Sequence, residues 1–132
     1  MQKIHVTQHD CQRLLQVLHE RLQHPPCEDY RLRELFEELH NTEPLPLESI
    51  PSDIITMNSR ISLTEEGSGQ QMEVELVYPA EGSMREGRVS VLTTLGRALL
   101  GSRVGHVVVV EDASGHRCYR VGGLSRPVEA LA

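Results

Sequence analysis

Residues 89–105 read VSVLTTLGRALLGSRVG, and this stretch decides the fold. Val89 and Val91 predict a short strand, and Thr94 is expected to cap a brief helix that ends at Gly101. The apolar residues of that helix are Leu95, Ala98, Leu99 and Leu100. The rest of the chain after residue 51 also has the pattern of strands.

The residues before this stretch have the pattern of half-buried strands. Residues 61–63 and 72–76 alternate apolar and polar side chains, and a turn rich in Gly and charge separates them at residues 65–69. Residues 53–58 are a further short strand candidate.

The residues after it predict a hairpin. Residues 106–111 (HVVVVE) are almost continuously apolar, which favours a central strand. A turn at residues 112–115 leads into alternating side chains at residues 117–121. Gly122 and Gly123 indicate a bulge in this return strand.

The first 43 residues predict an antiparallel helical hairpin, a short coiled coil. Thr7 and Asp10 resemble a capping pair at the start of the first helix. Pro25 and Pro26 interrupt the helical pattern, and Asn41 is expected to end the second helix. Each helix would have about 14–17 residues and a length of about 21–26 Å. The apolar seams lie at Cys11, Leu14, Leu15, Leu18 and Leu22, and at Leu32, Leu35, Phe36 and Leu39.

Residues 44–51 contain three prolines and predict a stiff, extended connector. The chain is therefore expected to divide into a helical hairpin at residues 1–43, this connector, and a sheet domain at residues 52–132. The predicted fold class is α+β, with an antiparallel β-sheet and one short helix following the helical hairpin.

Composition limits the functions that the chain can have. Its 132 residues carry a formal net charge of −6, whereas proteins that bind nucleic acid usually present a basic surface. A protein partner is therefore expected, and direct specific nucleic-acid binding is not.

Cys11, Cys27 and Cys118 are widely spaced, which favours free thiols in a reducing compartment. No apolar run suits a signal peptide or a membrane span, so the sequence predicts a cytoplasmic protein and leaves its oligomeric state open.

Several spaced motifs resemble the C-terminal domain of the Gre transcript-cleavage factors, in the same order along the chain. Residues 89–105 are similar to its signature strand-helix-strand, and residues 106–121 (HVVVVEDASGHRCYRV) to its closing hairpin. Residues 50–61 (IPSDIITMNSRI) and 76–81 (LVYPAE) resemble the Rnk branch of that superfamily, the regulators of nucleoside diphosphate kinase. The resemblance implies an FKBP-like domain that docks on RNA polymerase at the rim of its secondary channel, with the coiled coil pointing inward.

The resemblance also implies where the contact lies. In the Gre factors the loop before the signature helix contributes to it, and the matching residues here are Leu92, Thr93 and Thr94. The family usually has proline at the position of Thr94 and an Asp at the position of His106. Arg97 completes the expected polymerase-binding set. Arginines around this loop are either a positive rim against an acidic polymerase surface or solvated charges: Arg85, Arg88, Arg97 and Arg103.

Glu28 and Asp29 lie at the turn of the predicted hairpin and resemble the acidic tip with which Gre factors help hold a catalytic magnesium ion. Carboxylates suit a hard cation, but acidic residues in the first turn of a helix also complement its dipole. His5, His9 and Cys11 have a spacing that metal ligands could use, although no fourth ligand is evident and surface histidines are the simpler interpretation.

These residues predict a transcription regulator that docks on RNA polymerase and competes with Gre factors. One alternative is a transcript-cleavage factor that acts through Glu28 and Asp29. The other is an FKBP-like prolyl isomerase or chaperone, but the domain has only Tyr78 and Tyr119 to wall an aromatic pocket. No phosphate loop, nucleophile elbow or zinc signature is present, so no enzyme activity, catalytic residue, metal or cofactor is predicted.

Overall fold

The structure is a computed structural model that describes residues 5–23, 30–79, 87–112 and 115–126. The chain divides after Ile50 into a helical unit and a sheet unit. Among the described residues, no helix is long and apolar enough to cross a membrane.

The helical unit contains α1 (Gln8–Gln23) and α2 (Tyr30–His40). Thr7 caps α1, because its side-chain oxygen accepts a hydrogen bond from the Asp10 N–H at 3.2 Å. α2 ends immediately before Asn41, the predicted stop. The buried seam consists of Cys11, Leu14, Leu18, Leu32, Leu35 and Leu39, with Leu15, Leu22 and Phe36 half-buried beside it.

The segment that follows α2 belongs to the helical unit up to Ile50. The Leu45 N–H donates to the Val6 carbonyl at 3.0 Å, and Leu47–Ser49 forms one turn of 3-10 helix. Val6 and Ile50 are both buried. This segment is therefore tied by a backbone hydrogen bond to the chain just before α1.

In the described part of the sheet unit, five strands lie in the order β3-β2-β1-β5-β4. Neighbouring strands are antiparallel except β2 and β3, which are parallel. The sheet is therefore mixed rather than antiparallel throughout. The elements are β1 (Arg60–Glu65), β2 (Gln71–Val77), β3 (Arg88–Ser90), α3 (Thr94–Leu99), β4 (Val107–Asp112) and β5 (Gly115–Ser125).

β1 and β5 confirm the predicted alternation and the predicted bulge. Ser62 pairs with Gly123 but Leu63 pairs with Val121, so Gly122 is the extra residue. Alternate side chains of the central strands face the core: Ile61, Leu63, Val74, Leu76, Tyr119 and Val121 are buried.

The prediction of a central strand at residues 106–111 is wrong, because β4 is an edge strand of the sheet. Val108 and Val110 are buried, and α3 packs against this strand. Val107 and Val109, on the other face, are 39% and 54% exposed. A run of valines indicates high strand propensity, but it does not tell whether a strand has one neighbour or two.

Residues 53–58 form no regular strand in the part of the chain that the structure describes. Ile54 makes an isolated bridge with Arg103. Arg126, which is 8% exposed, holds this segment from the far end of β5. Its guanidinium Nη2 donates to the Pro51 carbonyl and, at 2.8 Å, to the Ile54 carbonyl. The first and last described segments of the sheet unit are thereby joined.

Candidate functional site

The loop at residues 91–93, which the sequence singles out, leaves the sheet at the end of β3. Because β3 is parallel to β2, Ser90 lies beside Val77. The Val91 N–H donates to the Val77 carbonyl at 2.9 Å, and the Val91 side chain is fully buried. The base of the loop is therefore fixed to the sheet.

Ser90 and Thr93 hold the loop in one conformation. The Ser90 carbonyl accepts hydrogen bonds from the Thr93 N–H at 3.0 Å and from the Thr93 hydroxyl at 2.7 Å. The Ser90 hydroxyl accepts from the Leu92 N–H at 3.2 Å. Every one of these bonds closes within a few residues, so the loop is ordered by its own atoms.

Thr93 is also the N-cap of α3, because its hydroxyl oxygen accepts from the Gly96 N–H at 3.0 Å. The prediction that Thr94 caps this helix is therefore wrong by one residue. Thr94 is the first helical residue, and the N–H that needs an acceptor lies three residues after Thr93. Gly101 has a φ of 87° just beyond the helix, as expected of a helix-ending glycine.

Gly96 brings α3 into direct contact with the backbone of the loop. A Cβ atom at this position would lie 2.0 Å from the Ser90 carbonyl oxygen and 2.9 Å from the Val91 Cα. Any side chain would therefore push the helix away from the loop. The roles of Gly96 and Ser90 were not predicted from the sequence. A glycine inside a short helical pattern is the signal that indicates such a close approach.

The four residues predicted to form the site come together on this loop and on α3. Leu92, Thr94 and Arg97 are half-buried, and Thr93 is exposed. Since the Thr93 hydroxyl, N–H and carbonyl all bond within the loop and α3, its methyl group remains to meet a partner. Leu92 adds an apolar side chain and Arg97 a positive charge. Such a combination suits a protein surface with an apolar pocket and an acidic group nearby.

The arginines around the loop lie on different elements. Arg88 is an exposed residue of β3, and Arg97 belongs to α3. Arg103 follows α3 and pairs with Asp53 at 4.0 Å. Arg85 lies outside the described residues. A common positive rim therefore stays a prediction.

Among the described residues, the remaining candidates do not form a metal-binding group. Glu28 and Asp29, the predicted hairpin tip, lie outside the described residues. Cys11 is buried, its thiol donates to the Leu39 carbonyl at 3.8 Å, and burial raises its pKa. His9 is exposed on the same helix. Within the described ranges, no three His, Cys, Asp or Glu side chains are grouped to hold a metal ion.

Tyr78 and Tyr119 are packing residues of the sheet unit, since they are 1% and 6% exposed. A shallow cleft of about 150 Å³ opens beside β2, and none of its described lining residues is aromatic. These are Arg60, Glu73, Val74, Glu75 and Gly87. Neither the tyrosines nor this polar cleft provides the aromatic-walled apolar pocket expected of a prolyl isomerase.

Comparison with known proteins agrees with the fold and covers this loop. A family model of the C-terminal part of the transcription elongation factors GreA/GreB matches residues 50–125. The solved structure of a prokaryotic transcription elongation factor GreA/GreB from Nitrosomonas europaea matches with a TM-score of 0.77 and 26% identity. The match covers 95% of this chain and 99% of that chain.

Two curated relatives have names other than transcription elongation factor GreA/GreB. The regulator of nucleoside diphosphate kinase from Escherichia coli (strain K12) is 38% identical over 71 residues, which are 54% of this chain and 52% of that protein. The transcription inhibitor protein Gfh1 from Thermus aquaticus is 34% identical over 77 residues, 57% of this chain and 49% of that protein. The chain spans about half the length of the curated relatives it matches.

Proposed function

The chain belongs to the GreA/GreB C-terminal family of transcription elongation factors, and from this membership we propose that it regulates transcription by binding RNA polymerase at the secondary channel. The contact would run through Leu92, Thr93, Thr94 and Arg97, which we call the docking loop. In this proposal the protein competes with Gre factors for the channel, acts as a binding protein in the cytoplasm, and carries out no catalysis of its own.

The fixed conformation of the docking loop carries the proposal. Ser90 and Thr93 order the loop through hydrogen bonds of 2.7–3.2 Å, and the close approach at Gly96 sets the helix against it. A loop that is already ordered loses little conformational entropy when it binds. The half-buried side chain of Leu92 can serve as the apolar anchor of such a contact.

Inhibition is favoured over assistance with transcript cleavage by the size of the helices. α1 has 16 residues, which gives a length of about 24 Å. A hairpin tip that stops outside the polymerase active site cannot supply a metal ligand, because coordination requires contact at about 2–2.6 Å. A short hairpin can still block the channel entrance. The name of the Thermus aquaticus relative, a transcription inhibitor, supports this choice.

The name of the Escherichia coli relative points to nucleoside diphosphate kinase. A factor that binds RNA polymerase can change the amount of that enzyme through transcription, without touching it. An effect on the kinase is therefore compatible with the proposal and does not require a second binding site.

The docking loop is tested by measuring the affinity of the full chain for core RNA polymerase, with a Gre factor as competitor. The double variant Leu92→Asp, Thr94→Asp should have a dissociation constant at least about tenfold higher, since a carboxylate must then be desolvated in the contact. An Asp in the first turn of α3 complements the helix dipole, so the fold should survive. Ser62→Asp, on the exposed face of β1, is the control. Unchanged affinity in a correctly folded double variant would rule out this loop.

The choice between inhibitor and cleavage factor is tested on a stalled elongation complex. The protein should leave intrinsic transcript cleavage unchanged and slow the cleavage driven by a Gre factor. The variant Glu28→Ala, Asp29→Ala should inhibit nearly as well, because occupancy of the channel entrance needs no metal ligand. If the wild-type chain accelerates cleavage strongly and this variant does not, the protein is a cleavage factor instead.

A further inference from the structure

Within the described part of the chain, β4 presents an open sheet edge together with an exposed apolar stripe. Among the described strands β5 is its sole neighbour, and Val107 and Val109 are 39% and 54% exposed. The Val121 N–H donates to the His106 carbonyl at 2.9 Å. Backbone bonds alternate in an antiparallel ladder, so Val107, Val109 and Glu111 direct their N–H and C=O groups away from β5. An edge of this kind is a template for another strand.

We infer that this edge pairs with the same edge of a second copy of the chain, antiparallel and about a two-fold axis at Val108. In that register Val107 of each copy faces Val109 of the other. The outward-pointing backbone groups of these residues then meet as hydrogen-bonding partners. The four valines form one apolar cluster on the exposed face, where cross-strand pairs of β-branched residues stabilise a sheet.

Charge favours the same register. Glu111 of one copy then lies beside Gly105 of the other, whose carbonyl accepts a hydrogen bond from Arg120 Nη1 at 3.4 Å. A guanidinium group is thus already held where the carboxylate of the second copy arrives. In its own chain that carboxylate lies 3.3 Å from His116 Nδ1, so Arg120 would be its second partner, and two-fold symmetry repeats the pair. The alternative register, centred on Val109, would place Glu111 opposite Val107 and set a carboxylate against an apolar side chain.

The self-complementarity of the edge is the reason to choose a second copy as its occupant. One strand supplies the two apolar positions and the acidic residue, and its neighbour β5 supplies the basic one. Arg120 is also paired with Glu66, which follows β1, at 2.9 Å, and this pair keeps its guanidinium on the exposed face of the sheet. A foreign strand would need to offer the same order of valines and acid in the reverse direction.

Sedimentation equilibrium of the full chain tests the dimer at concentrations from about 10 μM to 1 mM, where mass action reveals weak association. Val109→Lys should raise the dissociation constant about tenfold or more, because it sets an ammonium group among the facing valines and brings two like charges near each other. The side chain is exposed, so the monomer should keep its fold. Gln71→Lys makes the same charge change on an exposed residue of β2 and should leave association unchanged.

Charge reversal tests the register. Glu111→Arg and Arg120→Glu should each weaken the dimer about tenfold, and the double variant should regain most of the affinity because the pair is restored with opposite signs. A wild-type chain that stays monomeric at the highest concentration, or a dimer that Val109→Lys leaves intact, overturns the proposal. A double variant that associates no better than the single variants overturns the register.

Discussion

The absence of one side chain, at Gly96, determines the geometry of the docking loop. Its Cα lies so close to the Ser90 carbonyl that a Cβ would stand 2.0 Å from that oxygen. The same carbonyl accepts both hydrogen bonds that position Thr93. A residue at position 96 that moved the helix would therefore also disturb the bonds that order the loop.

Replacing Gly96 with Ala tests this contact. Helix propensity alone would favour Ala over Gly by about 1 kcal/mol, but the overlap with Ser90 should outweigh that gain and leave the protein about 1–3 kcal/mol less stable. Urea unfolding gives the difference. Gly67→Ala is the control, since a Cβ at Gly67 meets nothing within 4 Å. Equal stability of the two variants would mean that the loop and helix can move apart at little cost.

The hydrogen bonds that order the loop before α3 could be predicted from the sequence only in part. The resemblance of residues 89–105 to the Gre signature pointed to Leu92, Thr93 and Thr94. Ser90 was not predicted, because its role is to accept hydrogen bonds from the backbone N–H groups of Leu92 and Thr93, and from the Thr93 hydroxyl. Residue types alone do not show which serine meets a neighbouring N–H, since that depends on the backbone angles of the turn.

At the scale of helices and strands, the regular spacing of apolar residues correctly predicted which side chains are buried. The seam of α1 and α2 and the alternation of β1 and β2 follow from spacing alone. The position of β4 at the edge does not follow from spacing. A strand with one face on the core favours valines whether it is central or at the edge of the sheet. The parallel pairing of β2 with β3 is equally hidden, since it depends on the path of the chain between them.

The helical seam yields a prediction at this scale. Leu18 and Leu35 are fully buried, and we expect them to face each other. Either one changed to Ala should cost on the order of 2–4 kcal/mol in the stability of the helical unit. A double-mutant cycle should show a coupling of about 0.5 kcal/mol or more if the side chains touch.

Thermal unfolding followed by circular dichroism at 222 nm, which reports on helix, gives these values. Gln16→Ala, on an exposed position of α1, is the control for helix propensity. Strict additivity of Leu18→Ala and Leu35→Ala would show that the two residues pack against different neighbours.

For the whole molecule, the division after Ile50 raises the question of whether each unit folds alone. We predict that a fragment of residues 51–132 folds, melts in its own transition and binds RNA polymerase more weakly than the full chain. The fragment has to include Pro51 and Ile54, because their carbonyls accept the buried guanidinium of Arg126. Loss of both acceptors removes two hydrogen bonds to a buried charged group, each worth about 1.5–3 kcal/mol.

A fragment of residues 56–132 is therefore the matched control and should be markedly less stable. Differential scanning calorimetry compares the two fragments with the full chain. A single transition in the full chain that moves as a whole when Leu18 is changed would show that the two units fold as one.

The bulge at Gly122 determines to which face of the strand the side chains after it point. Before it, the odd-numbered Tyr119 and Val121 are buried; beyond it, the even-numbered Arg126 is buried and Ser125 is exposed. Successive side chains of a strand point to opposite faces, so one extra residue reverses the parity of everything that follows. Deleting Gly122 would keep every later residue and yet turn Arg126 toward solvent, because each later side chain would move to the opposite face of the strand.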